Sequence, residues 1–298
     1  MIKFVTITPV DKGWSGDKKF HAVAEDGREY LLRVMPPEKS ARQRDILKLT
    51  RRLRDMGVPL CRPVALEECS DGAYLLQDWI DGRDALKVIP QLSPDEQYAY
   101  GLNAGRILTV IHSVPPPEDA PDWETRFGRK LDRKLRLYSE CPLKYERGGL
   151  FVEFIAENRR LLRGRPQCLQ HGDYHIGNMM LDRAVRLVVI DFDRIDYGDP
   201  WEEFNRIVWC AQASRDFAFG MMDGYFDGCV PDIFWRLTAL YISSNTLSSL
   251  PWAIPFGQKE LDVMTAQARE VLEWYGDMSR TTPSWYQKRE VKQNDRPS

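Results

Sequence analysis

The stretch that decides the fold is His171-Gly172-Asp173-Tyr174-His175-Ile176-Gly177-Asn178, and Asp191-Phe192-Asp193 begins thirteen residues after Asn178. An aspartate, an asparagine and a second aspartate at these spacings suit phosphoryl transfer. In that chemistry Asp173 accepts the proton of an attacking hydroxyl, while Asn178 and Asp191 hold Mg²⁺ on the phosphates of ATP or GTP. Each piece alone also fits an ordinary turn. Their order and spacing together favour the catalytic interpretation.

A short hairpin is predicted between Asn178 and Asp191. Met179–Leu181 and Arg186–Ile190 are apolar and partly β-branched, as strands are, and Asp182-Arg183 has the composition of a turn. Antiparallel pairing brings the outer ends of two such strands together. We therefore expect the Asn178 and Asp191 oxygens to lie close enough to share one magnesium ion.

Composition places the chain among folded globular proteins. Its 298 residues predict one or two domains, and the 43% apolar fraction is sufficient for a large core. No run of about 18 apolar residues and no signal-peptide core is present, so we expect neither a membrane span nor secretion. Six scattered cysteines indicate free thiols in a reducing cytoplasm.

Charge is distributed unevenly along the chain. The net charge of −2 excludes a strongly basic nucleic-acid binder, yet residues 173–203 hold eight acids and three arginines. This acidic strip suits magnesium and, as one option, a cationic acceptor; a solvated surface is the alternative for most of these acids. The oligomeric state stays open.

Two lobes are predicted from the pattern of elements. Residues 1–80 read as three strands, a helix over Glu38–Met56 and two strands, with a hairpin turn at Asp26-Gly27. A hinge at Asp81-Gly82 leads into residues 81–298, a mostly helical lobe, in which 279–298 is expected to be a loose tail.

Several helices are predicted in the second lobe. Ser93, Pro94 and Glu96 form a capping-box pattern, so a helix should run from there to about His112. Further helical stretches are expected at 149–163, 200–213, 231–249 and 258–278.

A nucleotide site is predicted in the first lobe. The glycines of Val10–Asp17 would let backbone amides approach phosphates, although two such glycines also fit a plain turn. Arg33 interrupts an apolar strand and would need an anion if buried, unless the strand lies at an edge. The backbone of Leu76–Ile80 could hydrogen-bond adenine. The predicted nucleotide contacts are Gly13, Ser15, Gly16, Arg33, Gln77, Asp78, Trp79 and Ile80.

Across nearly its whole length the sequence resembles the aminoglycoside phosphotransferase and choline kinase family of the protein-kinase-like fold. The resemblance lies in the glycine loop, Leu31–Val34, Trp79–Gly82, His171–Asp173, and Asn178 with Asp191–Asp193. It implies an α+β fold of two lobes, a small antiparallel sheet with one helix and a larger helical lobe. It also implies Asp173 as catalytic base, Asn178 and Asp191 as magnesium ligands, and Arg33 on the nucleotide phosphates, while His171 braces the loop.

Four departures from the protein-kinase pattern stand out. Arg33 replaces the strand lysine, and Asp193 replaces the glycine of Asp-Phe-Gly. The helix after Arg33 offers Asp45 as its nearest acid, which leaves the ion pair of Arg33 unassigned. No Ala-Pro-Glu sequence follows, which favours a small-molecule acceptor over a protein. The alternatives are an idle nucleotide-binding protein of this fold and a protein kinase.

Acceptor contacts are predicted where tryptophan adjoins acids. Such pairs can bind an amine through cation–π and charge-assisted contacts. Core packing and helix-capping acids are the alternative for the same residues. The candidates are Asp122, Glu124, Trp201 and Glu202.

Overall fold

The first lobe is an antiparallel sheet with one helix. The computed structural model describes residues 2–10, 16–69 and 72–286. The strands pair in the order β1-β2-β3-β5-β4. The elements are β1 (Phe4–Pro9), β2 (Lys18–Ala24), β3 (Glu29–Met35), α1 (Ser40–Asp55), β4 (Pro63–Cys69) and β5 (Gly72–Asp78).

Local sequence explains this lobe. Gly27 adopts φ +80° in the β2–β3 turn, a conformation that glycine reaches without strain. Helix α1 buries Ile46 and Leu53 on one face and exposes arginines on the other. The predicted order of three strands, helix and two strands is confirmed, and the sheet ends at Asp78, just before the predicted hinge.

The second lobe is mostly helical and holds the largest apolar core. Its helices are α2 (Ala85–Val88), α3 (Pro94–His112), α4 (Trp123–Glu140), α5 (Gly149–Asn158), α6 (Ile207–Ala213), α7 (Arg215–Phe226), α8 (Asp232–Ala253) and α9 (Gln258–Trp274). Helix α3 begins with the predicted capping box, in which Ser93 and Glu96 each bond the other's backbone N–H. The expected two-lobed α+β architecture is therefore confirmed. No helix within the described residues is long and apolar enough to cross a membrane.

Short strands flank the segments that contain Asp173, Asn178 and Asp191. They are β6 (Gly82–Asp84), β7 (Cys168–Gln170), β8 (Met179–Asp182), β9 (Leu187–Val189) and β10 (Asp196–Gly198). Strand β8 pairs antiparallel with β9, as predicted, and also with β6 just after the hinge. The hairpin is thereby attached to the chain segment that joins the two lobes.

Three differences from the sequence prediction concern helices and the tail. Helices α4 and α7 were not predicted, although Asp122 and Ser214 cap them with their side chains. The stretch predicted as helical from 200 begins with a 3-10 helix over Glu202–Arg206. A loose tail from 279 is wrong for 279–286, because Trp285 is buried against the ring of Trp274. Residues 287–298 lie outside the described residues.

Candidate active site

The hairpin places Asn178 beside the segment that contains Asp191. Strands β8 and β9 pair Met179 with Val189, and beyond that pair the Ile190 N–H donates to the Asn178 carbonyl at 3.0 Å. Asn178 is thus opposite Ile190, one residue before Asp191. The sequence prediction that these two ends meet agrees with this register.

The Asn178 side chain also reaches the predicted catalytic loop. Its Nδ2 donates to the backbone carbonyl of Asp173 at 2.9 Å. With the nitrogen committed in this way, the carboxamide Oδ1 is the atom that can coordinate a metal. One residue therefore links the loop of Asp173 to the strand end before Asp191.

His171 braces the loop instead of pointing into a cleft. The ring is fully buried; its Nδ1 accepts from the Asp173 N–H at 3.2 Å, and its Nε2 lies 3.0 Å from the Ile190 carbonyl. A single tautomer with the proton on Nε2 satisfies both contacts. The Phe192 ring packs on the imidazole with centroids 4.5 Å apart. His171 therefore fixes Asp173 relative to the Asp191 segment.

Glu203 accepts hydrogen bonds from the backbone of the same loop. Its carboxylate, 1% exposed, accepts the N–H groups of Gly172 at 3.1 Å and Tyr174 at 3.2 Å. Burial acts to raise the pKa of Glu203, but His112, His171 and the Gly172 N–H outweigh it and leave the pKa lowered. From the sequence alone, Glu203 is an acid beside Trp201 and Glu202 at the start of a predicted helical stretch, where a substrate contact and a helix-dipole role are both open. That Glu203 binds the backbone of the Asp173 loop is visible only in the folded structure, because the loop lies about thirty residues earlier in the sequence.

Asp191 occupies a strained backbone position next to a second carboxylate. Its φ is +64°, a left-handed conformation that aspartate tolerates better than most residues. Burial and the nearby Asp193 raise the pKa of Asp191. Uncompensated negative charge at this position fits a cation-binding role.

Arg33 is held by two carboxylates that come from different parts of the chain. Its side chain is 6% exposed and lies 2.6 Å from Asp17 Oδ2; it also forms a bidentate pair with Asp193, with Nη1–Oδ1 at 2.9 Å. On α1, Gln43 Nε2 donates to Asp193 Oδ1 at 3.3 Å, whereas Asp45 is exposed and pairs with Lys48. Asp193, the departure from Asp-Phe-Gly, thus supplies the acid that the helix lacks.

The ion pairs of Arg33 with its two carboxylates shift the pKa values of both Arg33 and Asp193. Burial acts to lower the pKa of Arg33, but the bonds to Asp193 and Asp17 raise it overall. Burial acts to raise the pKa of Asp193, and the contact with Arg33 lowers it overall. Both groups remain charged at neutral pH.

A cleft of about 640 Å³ opens between the lobes. The polar side of the cleft includes Arg33, Asp191 and Asp193. Lys19 also lines it, opposite Arg33 on the paired strand, and was not predicted from the sequence. Asp173 and Asn178 do not line this cleft, but they adjoin it through Ile190, which does. The apolar wall includes Leu31, Pro63, Leu75, Val88, Met180 and Ile190.

The hinge residues predicted to contact adenine, Gln77, Asp78, Trp79 and Ile80, all line the cleft. The Asp78 and Trp79 N–H groups already donate to the carbonyls of Arg62 at 2.9 Å and Glu29 at 3.1 Å. Within the described residues, the Ile80 N–H has no backbone hydrogen-bond partner. Of the predicted glycine loop, Gly16 is exposed, and Gly13 and Ser15 lie outside the described residues.

The predicted acceptor contacts are not brought together. Asp122 caps α4 by accepting the Thr125 N–H at 2.9 Å, and Glu124 is exposed in the first turn of that helix. Trp201 packs against Phe234, with Arg165 over its ring at 3.9 Å. Glu202 is largely buried and pairs with Lys130 at 3.2 Å.

The acidic strip is not an open negative surface. Asp196 pairs with Arg126, and Asp199 forms a bidentate pair with Arg165. Cations also flank Asp173 itself: Arg206 Nε lies 3.0 Å from its Oδ1 and Arg194 Nε 3.8 Å from its Oδ2. Burial acts to raise the pKa of Asp173, but Arg206, His175 and Arg194 lower it overall.

Comparison with known proteins agrees with this geometry. No curated protein sequence matches the chain. Among solved structures, the chain is similar to aminoglycoside 2′-phosphotransferase-IIIa in complex with GDP, at 13% identity and a TM-score of 0.71, covering 94% of this chain and 95% of that one. It is also similar to amicoumacin kinase hAmiN in complex with AMP-PNP, Ca²⁺ and Ami, at 15% identity and a TM-score of 0.64, covering 95% and 92%.

A third similar structure is a thermostable mutant of aminoglycoside phosphotransferase APH(4)-Ia bound to ADP and hygromycin B, at 14% identity and a TM-score of 0.65, covering 90% of this chain and 94% of that one. At these identities the similarity establishes the fold. The model of the phosphotransferase enzyme family APH matches residues 6–233, most of the chain, and covers the cleft and the segments of Asp173, Asn178 and Asp191. This chain is a member of that phosphotransferase enzyme family.

Proposed function

We propose that the protein is a small-molecule kinase that transfers the γ-phosphoryl group of ATP or GTP to a hydroxyl of a small acceptor. One observation supports this most strongly: Asn178 bonds the Asp173 carbonyl through its side chain and receives the Ile190 N–H on its backbone. Catalytic base and metal ligands thereby share one rigid unit.

The donor chemistry fits Mg²⁺. Asn178 Oδ1 and the Asp191 carboxylate are hard oxygen ligands, and the raised pKa of Asp191 indicates negative charge that a dication would offset. When bound there with the nucleotide, the ion would neutralise charge on the phosphate oxygens.

The chain's own residues perform the remaining steps. Ile80 would hydrogen-bond the base, while Lys19 and Arg33 would lie near the phosphates at the polar side of the cleft. Asp173 orients the acceptor hydroxyl and takes its proton as the hydroxyl oxygen bonds to the γ-phosphorus. The bond from that phosphorus to the bridging oxygen breaks, and the nucleoside diphosphate leaves with the electron pair.

Two carboxylates, those of Asp17 and Asp193, already bind the Arg33 guanidinium. Arg33 could therefore contact a phosphate only through N–H groups that these bonds leave free. We propose that Arg33 mainly fixes Asp193, and hence the Asp191 segment, beneath the phosphates. Lys19, opposite Arg33 on the neighbouring strand, is a second cation at the polar side of the cleft that would lie near the phosphates.

A screen for acceptor-dependent release of ADP or GDP tests the proposal, with aminoglycosides, macrolides, choline-like amines, sugars and hydroxy acids as acceptors. Release with at least one acceptor is expected, and Asp173→Asn should remove it. A nucleotide-induced thermal shift without transfer to any acceptor would instead indicate an idle nucleotide-binding protein. Labelled phosphate appearing in polypeptide would indicate a protein kinase.

A further inference from the structure

Four basic side chains lie on segments around Asp173: Arg194 and Arg206 flank its carboxylate, and Lys130 and Lys134 lie on α4. We call Lys130, Lys134, Arg194 and Arg206 the basic cluster. Lys130 and Lys134 are one turn apart on α4 and so share a face. That face meets the 3-10 helix Glu202–Arg206, since Lys130 Nζ lies 3.2 Å from Glu202 Oε1. Arg206, at the other end of the same 3-10 helix, contacts Asp173.

The cluster has more positive than negative charge. The four basic side chains have two carboxylates among them, since Lys130 pairs with Glu202 and both Arg194 and Arg206 contact Asp173. Of the other nearby acids, Asp196 and Asp199 are engaged by Arg126 and Arg165, and Glu203 is buried, where it accepts the N–H groups of Gly172 and Tyr174.

Lys134 shows the imbalance most clearly. Within the part of the chain that the structure describes, its ammonium group has no ion-pair or hydrogen-bond partner. Burial, followed by repulsion from Lys130, lowers the pKa of Lys134 to about 7. A bound anion would remove this electrostatic penalty.

We propose that the acceptor is an anionic alcohol, and that Arg194, Arg206 and Lys134 bind its carboxylate or phosphate next to the hydroxyl that Asp173 orients. This inference rests on the proposed kinase function and names its substrate class. The anionic group would take over guanidinium contacts that Asp173 now makes, leaving the aspartate to accept the hydroxyl proton. The sign of the acceptor's charge is thus opposite to the one suggested by the acidic strip in the sequence.

Two matched ligand sets test the charge preference directly. The first is gluconate, sorbitol and glucamine, which share a polyol and differ in charge at one end; the second is glycerate, glycerol and 3-amino-1,2-propanediol. Calorimetric titration uses the full chain saturated with Mg²⁺ and AMP-PNP. In at least one set we expect the anion to bind about tenfold or more tightly than the neutral member, and the amine to bind least.

Variants on one helix identify the group responsible. Lys134→Gln should weaken binding of the preferred anion by about tenfold and leave the neutral alcohol unchanged, and Lys134→Arg should restore it. Arg136→Gln is the matched control, because Arg136 is exposed and two positions further along α4, on the opposite side. Both glutamine variants remove one positive charge.

No anion preference in either set, including no binding of any member, would overturn the inference, as would tighter binding of the amines. If Lys134→Gln weakened AMP-PNP binding instead, the cluster would serve the nucleotide. Failure of the kinase proposal looks different: anions would bind preferentially but no acceptor in the screen would be phosphorylated. Phosphorylation of cationic acceptors alone would keep the kinase and reject the anionic substrate.

Discussion

Asp173 is held by cations on its side chain and by His171 on its backbone. If Asp173 is the proposed base, its lowered pKa makes it a weak proton acceptor, and alignment of the hydroxyl would be a large part of its role. We expect Asp173→Asn to reduce kcat by about 10²–10⁴-fold, because general base catalysis and alignment are both lost. The dissociation constant of the magnesium nucleotide should change little. Steady-state kinetics and calorimetry measure the two effects, and a kcat equal to that of the parent would reject the assignment.

Arg33 and Asp193 form the pair that local sequence could not predict. Asp193 was visible as a departure from Asp-Phe-Gly, but its partner lies 160 residues away in the chain. Contacts over such separations depend on the packing of the two lobes, whereas sequence patterns report neighbours within a few residues. Asp45, the nearest acid on the helix, is exposed and pairs with Lys48.

Asp193→Asn should lower the free energy of unfolding by about 2 kcal/mol, because the buried guanidinium loses a charged hydrogen-bond partner. Asp45→Asn, which removes the same charge from the surface, should change it by less than about 0.5 kcal/mol. Urea denaturation measures both. Equal effects of the two substitutions would mean that the Arg33 pair does not stabilise the fold.

The same pair predicts a pH dependence. The pKa of Asp193 is lowered in the folded state, so its contribution to stability is complete above the unfolded pKa of about 3.9 and is lost as pH falls below it. The difference in unfolding free energy between parent and Asp193→Asn should therefore shrink as the pH is lowered from about 5 to about 2. A difference that stayed constant over this range would contradict the charged pair.

At the scale of elements, the site depends on a loop pressed against a neighbouring segment. Gly172 has φ +80°, and a Cβ there would lie 2.1 Å from the Arg194 carbonyl oxygen. Gly164 also has positive φ, +65°, but nothing lies within 4 Å of its Cβ position. Alanine at Gly164 would therefore introduce backbone strain alone, whereas alanine at Gly172 would add a steric clash to the same kind of strain.

Gly172→Ala should abolish most activity and lower Tm, because the loop of Asp173 must move away from Arg194. Gly164→Ala introduces comparable strain on the backbone alone and should cost about 1 kcal/mol with kcat retained. Thermal melts and kinetics distinguish them. A Gly172→Ala protein as active as Gly164→Ala would show that close packing of this loop is not required.

Elements were predictable where their signals are local. The capping box of α3 and the hairpin β8–β9 are fixed by residues within a few positions of each other, and both were predicted correctly. Helices α4 and α7 carry similar signals in Asp122 and Ser214, which the prediction passed over. The contacts of Glu203 could not be predicted, because its partners Gly172 and Tyr174 in the Asp173 loop are brought to it only by folding.

At the scale of the whole molecule, the cleft joins two lobes that are tied together at its polar side. Arg33 on β3 bonds Asp193, and Arg42 on α1 donates to the carbonyl of Ile195. Both contacts fix the segment after Asp191 against the first lobe. The two-lobed fold was predictable from the change of pattern near residue 80, whereas the ties between lobes were not.

Ligand binding between the lobes should stabilise the chain in a magnesium-dependent way. AMP-PNP at about 100 times its dissociation constant, with Mg²⁺, should raise the free energy of unfolding by about 2.7 kcal/mol. Chelation of the metal with EDTA, or Asp191→Asn, should remove most of this gain. A thermal shift that is unchanged by both treatments would mean that Asp191 does not hold a nucleotide-bound ion.

The most direct test of the central claim is the anomalous scattering of Mn²⁺ in crystals of the protein with AMP-PNP. The claim is that Asn178 and Asp191 hold one ion on the nucleotide phosphates beside Asp173. We predict a peak within coordination distance of Asn178 Oδ1, the Asp191 carboxylate and phosphate oxygens together. A phosphate-bound peak that contacts neither residue would contradict the account.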